Sequence, residues 1–243
     1  MNLIRVPLGI IALALLATSV FADEKPVTLS RTFKKDAVVR MNIETAIDAD
    51  GTPVQVKLST KSTVKAVKDN GQIVIETQDE AGKITLNGSD MDIPGGGITT
   101  LTIDKAGKLV DFKAAVGGIL TPEILRLLET MRMPILSDKE VKTGDSWKSE
   151  FDNAAVKGKK FTVTTTFGGV DKVEGADMWK LKQEGAPDTD ASGAKMGFDA
   201  TYWLDTTSGQ IVKADIKIKG QPTIMYGTHS MTTKATRAKP EPK

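Results

Sequence analysis

Cysteine is absent from the 243 residues, and histidine occurs once, at His229. The first absence removes disulfides, thiol catalysis, thiolate metal sites and a lipid-modified N-terminal cysteine. A chain of this length can bury enough surface to stand on its core alone. An exported protein without disulfides also fits a bacterial envelope better than a eukaryotic secretory route. A single histidine cannot build a typical zinc centre. After residue 22 no run is long and apolar enough to span a bilayer. An excess of one charge is missing too. The formal net charge is +2, and residues 1–22 hold one arginine, Arg5, and no acid, so the remainder is close to neutral. Such a surface has no strong pull on nucleic acid or an anionic membrane.

What is present begins with an address. Arg5, the apolar run "LGIIALALLATSVF" and Val20-Phe21-Ala22 form the pattern of a secretory signal peptide over residues 1–22. The run is shorter than the ~20 residues of a spanning helix. The mature chain is expected to begin at Asp23 and to be periplasmic or extracellular.

The dominant signal after that is a series of strand–turn–strand units. "VKDNGQIVIE" carries Asn70-Gly71 between apolar runs, which predicts a hairpin with a type I′ turn. "AIDADGTPV", "TIDKAGKLV", "GVDKVEGADMW" and "WLDTTSGQIV" repeat the grammar with an Asp before and a Gly after each turn. Within "PVQVKLSTKSTVKAV", Val54, Val56, Leu58 and Val64 fall on one face, and Gln55, Lys57, Lys61 and Lys65 on the other. "LTPEILRLLETMRMP" predicts one helix over 121–131, with Thr121 as cap, Pro122 at the first helical position and an Ile124, Leu127, Leu128, Met131 stripe. The predicted class is therefore mostly β. A large curved antiparallel sheet, half-barrel-like, carries the amphipathic helix on its concave face. Residues 23–236 are expected to form one domain, with meanders at 27–117 and 146–236, and 237–243 a disordered tail.

Gly144-Asp145-Ser146 imitates the nucleophile block of an esterase class. Such a serine ends a buried strand, but here "LSDKEVKT" precedes it; its base has an Asp three residues earlier, but here Tyr226 precedes His229; and no partner block supplies oxyanion donors. The alternative is a turn that delivers Trp147 to a core strand, with Phe151 on the same face. The chain is expected not to be an enzyme. The three glycines 95–97 precede a β-branched run rather than a helix and so predict a loop, not a phosphate cradle. Asp188, Asp190, Ser192 and Asp199 match part of a calcium-loop spacing, without flanking helices or the final Glu; a solvated loop is the expectation, with no metal or other cofactor. Eight methionines after Met1, among them Met131, Met133, Met225 and Met231, suit either core filling or a pliable apolar cavity.

The order of parts resembles an exported bacterial family of unknown function, in which "MPILSDKEVKTGDSW" links a helix to a second meander ending "TYWLDTTSGQIVKADIKI". The signature-like portion is Pro134, Val141 and Gly144-Asp145-Ser146-Trp147, and the resemblance covers roughly residues 30–236. The architecture is similar to the lipoprotein-carrier half-barrel of the bacterial envelope, which implies helices lying over an apolar concavity but assigns no functional residue here. The expected function is a non-enzymatic extracytoplasmic binding module holding a lipid or other apolar ligand against Val54, Val56, Leu58, Ile124, Leu128 and Met131. The alternative is a structural or interaction protein with a filled core, working with an envelope partner through its surface; a hydrolase stands last.

Overall fold

Period-two alternation builds nearly everything that the computed structural model describes, which is residues 25–49, 51–114, 126, 129–130, 132–152, 160–187, 197–222 and 228–239. The first run of strands is β1 (Val27–Thr28), β2 (Val38–Ala49), β3 (Thr52–Val67), β4 (Ile73–Leu86), β5 (Ser89–Ile93), β6 (Ile98–Ile103) and β7 (Leu109–Lys113). The second is β8 (Glu140–Val141), β9 (Ser146–Asp152), β10 (Lys160–Val173), β11 (Ala176–Pro187), β12 (Gly197–Asp205), β13 (Ile211–Pro222) and β14 (Thr228–Arg237). β1 and β8 make a separate two-stranded sheet. The other twelve strands form one antiparallel sheet in the order β7-β6-β4-β3-β2-β14-β13-β12-β11-β10-β9, with β5 beside β4. Two meanders thus spread outward from a central seam where β2 pairs with β14, from Met41↔Arg237 to Asp48↔Ser230. β7 and β9 end the order, so the sheet is not closed into a barrel.

All five predicted hairpins form, but Asn70-Gly71 is not a type I′ turn. Lys68 and Gln72 close a three-residue loop with a 2.8 Å N–H···O bond, and Gly71 alone has positive φ, +79°. That is the arrangement in which a turn is followed by a left-handed glycine. The two-residue turns with two left-handed residues lie elsewhere, at Asn87-Gly88 between β4 and β5 and at Glu174-Gly175 between β10 and β11. β5 and β6 share one edge of β4, along Gly82–Leu86 and Ile73–Gln78 respectively. Glycines 95–97 cross the gap between them as a loop, and the Gly96 N–H donates to the Asp79 carbonyl at 2.8 Å.

The inward face is dry in two different ways. On the second meander, Phe161, Val163 and Phe167 of β10, Leu181 of β11 and Tyr202 and Leu204 of β12 are buried. The chain itself covers them: Leu29, Ile135, Leu136 and Val141 belong to the same cluster. On the first meander the smaller cluster of Val64, Ile73, Leu101, Ile103 and Leu109 is packed by the half-buried Phe33, Ala37, Ile75, Phe112 and Met133.

The predicted helix falls mostly outside the described residues, and so do Ile124, Leu128 and Met131. Arg126, Glu129, Thr130 and Arg132 have helical backbone, too few to define the element. The predicted signal segment also lies outside them. No helix among the described residues is long and apolar enough to cross a membrane.

Candidate functional site

The side chains that β2, β3 and β4 turn inward beside the seam are met, among the described residues, by Phe33 and by Glu129, Arg132 and Met133. They line a cavity of about 410 Å³. Val39, Met41 and Ile43 of β2 form its floor with Thr60, Ser62 and Val64 of β3. One wall comes from Ile75 and Thr77 of β4, Leu101 and Ile103 of β6 and Phe112 of β7. The other comes from Ala214 and Ile216 of β13 and Thr233 and Ala235 of β14. β7 and β13 stand six strands apart in the order, roughly 29 Å on a flat sheet, yet both line this one cavity, so the sheet is curved and the cavity sits in its concavity.

One end is closed by turns and held by Arg31. Its guanidinium donates to the carbonyls of Pro134 (2.6 Å), Ala106 (3.4 Å) and Gly209 (3.4 Å). Three segments distant in sequence therefore converge on one side chain, and all three partners are neutral. Burial pushes the Arg31 guanidinium down to about 10, with Tyr202 and Asp104 acting the other way. Arg237 enters the same end from β14 and donates to the Ile211 carbonyl at 2.8 Å and to Gln210 Oε1 at 3.5 Å. Burial also lowers its pKa, with Asp205 opposing. Burial works to raise the Asp205 carboxyl, but donors from Ser208 and Thr207, with Arg237 nearby, outweigh it and hold it below its usual range. Arg132 completes the set and pairs with Glu129 at 3.0 Å. The chemistry on offer is an apolar trough with a basic end.

Sequence reasoning singles out none of these arginines and places Arg237 at the start of the expected tail, 237–243. It is instead the last residue of β14, and Ala238 continues the contact by donating to the Arg40 carbonyl at 2.9 Å. A signal was present: only six residues of the chain are arginine among 33 basic ones, and three of the six line the cavity.

The expected lining residues of β3 lie next to this site. The unbroken β2–β3 register puts Val54, Val56 and Leu58 on the same face as Thr60, Ser62 and Val64, half-buried, but beyond the cavity's end. Asp188, Asp190 and Ser192 lie outside the described residues. Asp199 is an exposed strand residue of β12, in register with Lys217 and Glu184. No acidic or histidine cluster fit for a metal occurs among the described residues. Calcium is expected to leave the thermal midpoint unchanged; at 100 times its dissociation constant a bound ion adds ~2.7 kcal/mol, so a clear rise at high calcium that Asp190→Ala removes would establish the loop as a site.

Ser146 is on β9, at the far edge of the sheet, and His229 on β14. Five strand spacings separate them, roughly 24 Å along the sheet. The Ser146 hydroxyl pairs with that of Thr166 at 2.8 Å on the exposed face.

No protein-family model matches the chain, and no curated protein does. Among solved structures, the hypothetical lipoprotein YmcC of Escherichia coli K12 is 12% identical over 85% of this chain and 86% of its own, with a TM-score of 0.33. A DUF1329 family protein from Desulfovibrio piger is 10% identical over 83% of each chain, with a TM-score of 0.23.

Proposed function

We propose that the protein is an exported, non-enzymatic binding module that holds an apolar ligand, such as a lipid chain, in the cavity of the first meander. The observation that carries this is the contrast between the two halves of one sheet. The second half fills its concave face with its own Leu29, Ile135 and Leu136, while the first leaves a trough lined by Val39, Met41, Ile43 and Leu101. Its volume lies within the ~300–1,000 Å³ of small-molecule sites, and a filled structural core has no need of it. The half-barrel form and the apolar stripe of Ile124, Leu128 and Met131 belong to this reading: the stripe needs a dry surface, and the trough offers one. The placement of His229, the chain's single histidine, five strands from Ser146 favours binding over hydrolysis.

The test is an uncharged dye that fluoresces in apolar surroundings. Wild type and the outward-facing variant Lys61→Ala are expected to bind it alike. Met41→Trp, which puts bulk into the trough, is expected to lose most of the signal while keeping its thermal midpoint. Equal signals from all three would remove the cavity as the site, and no signal from any would favour the interaction-protein reading.

A further inference from the structure

Charge at the closed end of the trough is loosely paired: Asp104 acts on Arg31 and Asp205 on Arg237, but neither makes an ion pair with it. Arg132 has Glu129 at 3.0 Å. Arg31 and Arg237 have no carboxylate of the described residues within ion-pair distance; their printed partners are carbonyls and one amide oxygen. Arg237 Nε is buried and has no hydrogen-bond partner. A buried guanidinium N–H without an acceptor is unfavourable, and an ionised oxygen is its strongest partner. The other carboxylate on the cavity, Asp79, does not supply it. It is exposed on β4, three strands from β14, roughly 14 Å away.

The rest of the path is mainly apolar. Arg237 stands opposite Met41, and from there the same face of β2 continues through Ile43 and Thr45, whose hydroxyl pairs with that of Thr233 at 3.0 Å, to Ile47. Six residues of strand cover ~20 Å, a length comparable to the ~15 Å one lipid chain spans in half a bilayer. Beyond the cavity, Leu58, Val56 and Val54 extend that face with Ile84 of β4 beside Val56.

We propose that the trough takes a single-chain amphiphile with an anionic head, carboxylate or phosphate, held by Arg237 and Arg31, its chain running along β2 and β3 toward Val54. This rests on the trough being a ligand site, and it adds the sign of the head and the direction of the chain.

Displacement of the uncharged dye from the full mature chain tests it, with every competitor below its micelle concentration. The competitors are hexadecanoate, a single-chain lysophosphatidic acid, hexadecanol, hexadecyltrimethylammonium and inorganic phosphate. One or both anionic amphiphiles are expected to compete at least ~10-fold better than the alcohol, and which one does identifies the head as carboxylate or phosphate. Arg237→Gln is expected to erase that ratio, and Arg237→Lys to restore part of it. Inorganic phosphate alone is expected to displace nothing; displacement by it as strong as by the lysolipid would overturn the chain's role. An alcohol equal to the acids, or a cationic amphiphile that binds best, would overturn the anionic head while leaving the trough a binding site. Dye that no sixteen-carbon competitor displaces would remove the trough reading itself, and this inference with it.

Discussion

Alanine at Gly209 is expected to destabilise the protein by about 2–4 kcal/mol, against about 1 kcal/mol for alanine at Gly175. Both glycines sit in hairpin turns at positive φ, +63° and +85°, so both variants carry the left-handed penalty of an L residue. The surroundings differ. A Cβ at Gly175 meets nothing within 4 Å, whereas one at Gly209 overlaps the Ser30 carbonyl oxygen and lies 3.1 Å from Arg31 Cα. Those are backbone atoms, so no rotamer change relieves the contact. The chain must shift at the place where Thr32 N–H meets the Ser208 carbonyl (2.8 Å) and Arg31 Nε the Gly209 carbonyl (3.4 Å). Denaturant titration of the two variants measures the difference. If both lose the same stability, the packing of residues 30–32 against the β12–β13 turn does not hold the closed end together.

That closed end is the part of the molecule that sequence reasoning could not reach. Hairpins are local, so an Asp and a Gly a few residues apart were enough to locate all five, and alternation was enough to assign the faces of β3. Even there the turn chemistry was displaced: Asn70-Gly71 looked like the paired left-handed turn, but Asn87-Gly88 and Glu174-Gly175 are the ones with two positive φ values. The β2–β14 seam joins residues about 190 apart, and no local pattern records it. The same holds for Arg31, whose three acceptors come from positions 106, 134 and 209. Val54, Val56 and Leu58 were placed on the right face but not in the cavity, because period two fixes the side of a strand and says nothing of where along it the partner strands curve around. Only the scarcity of arginine marked the basic end in advance.

Trp147 is the second position where a large effect is expected. Trp147→Ala is expected to cost about 3 kcal/mol, the lower part of the range for removing a buried aromatic, because the ring is half-buried at the edge of the larger cluster. It does two things there. It packs inward from β9 opposite Thr165, and its indole N–H donates to the Ile135 carbonyl at 3.1 Å. Ile135 and Leu136 are the residues that fill the second meander, and buried Pro134 gives its carbonyl to Arg31. The stretch from Pro134 to Trp147 is therefore one device. It carries the filler, then Val141 in β8, then a turn in which Gly144 has φ +94° and Asp145 Oδ2 accepts from Lys142 N–H at 2.8 Å, and it ends on the tryptophan that clamps the filler from the sheet's edge. Trp147→Phe keeps most of the apolar contact and loses the hydrogen bond, for about 1 kcal/mol. Ser146→Ala removes an exposed hydroxyl pair with Thr166 and is expected to cost less than ~1 kcal/mol and to leave ligand binding as it was. Thermal melts of the three variants, beside dye binding, separate the possibilities. A Trp147→Ala protein that melts like wild type would remove the clamp, and a Ser146→Ala protein that folds normally but has lost its biological activity would bring back the nucleophile that the strand order argues against.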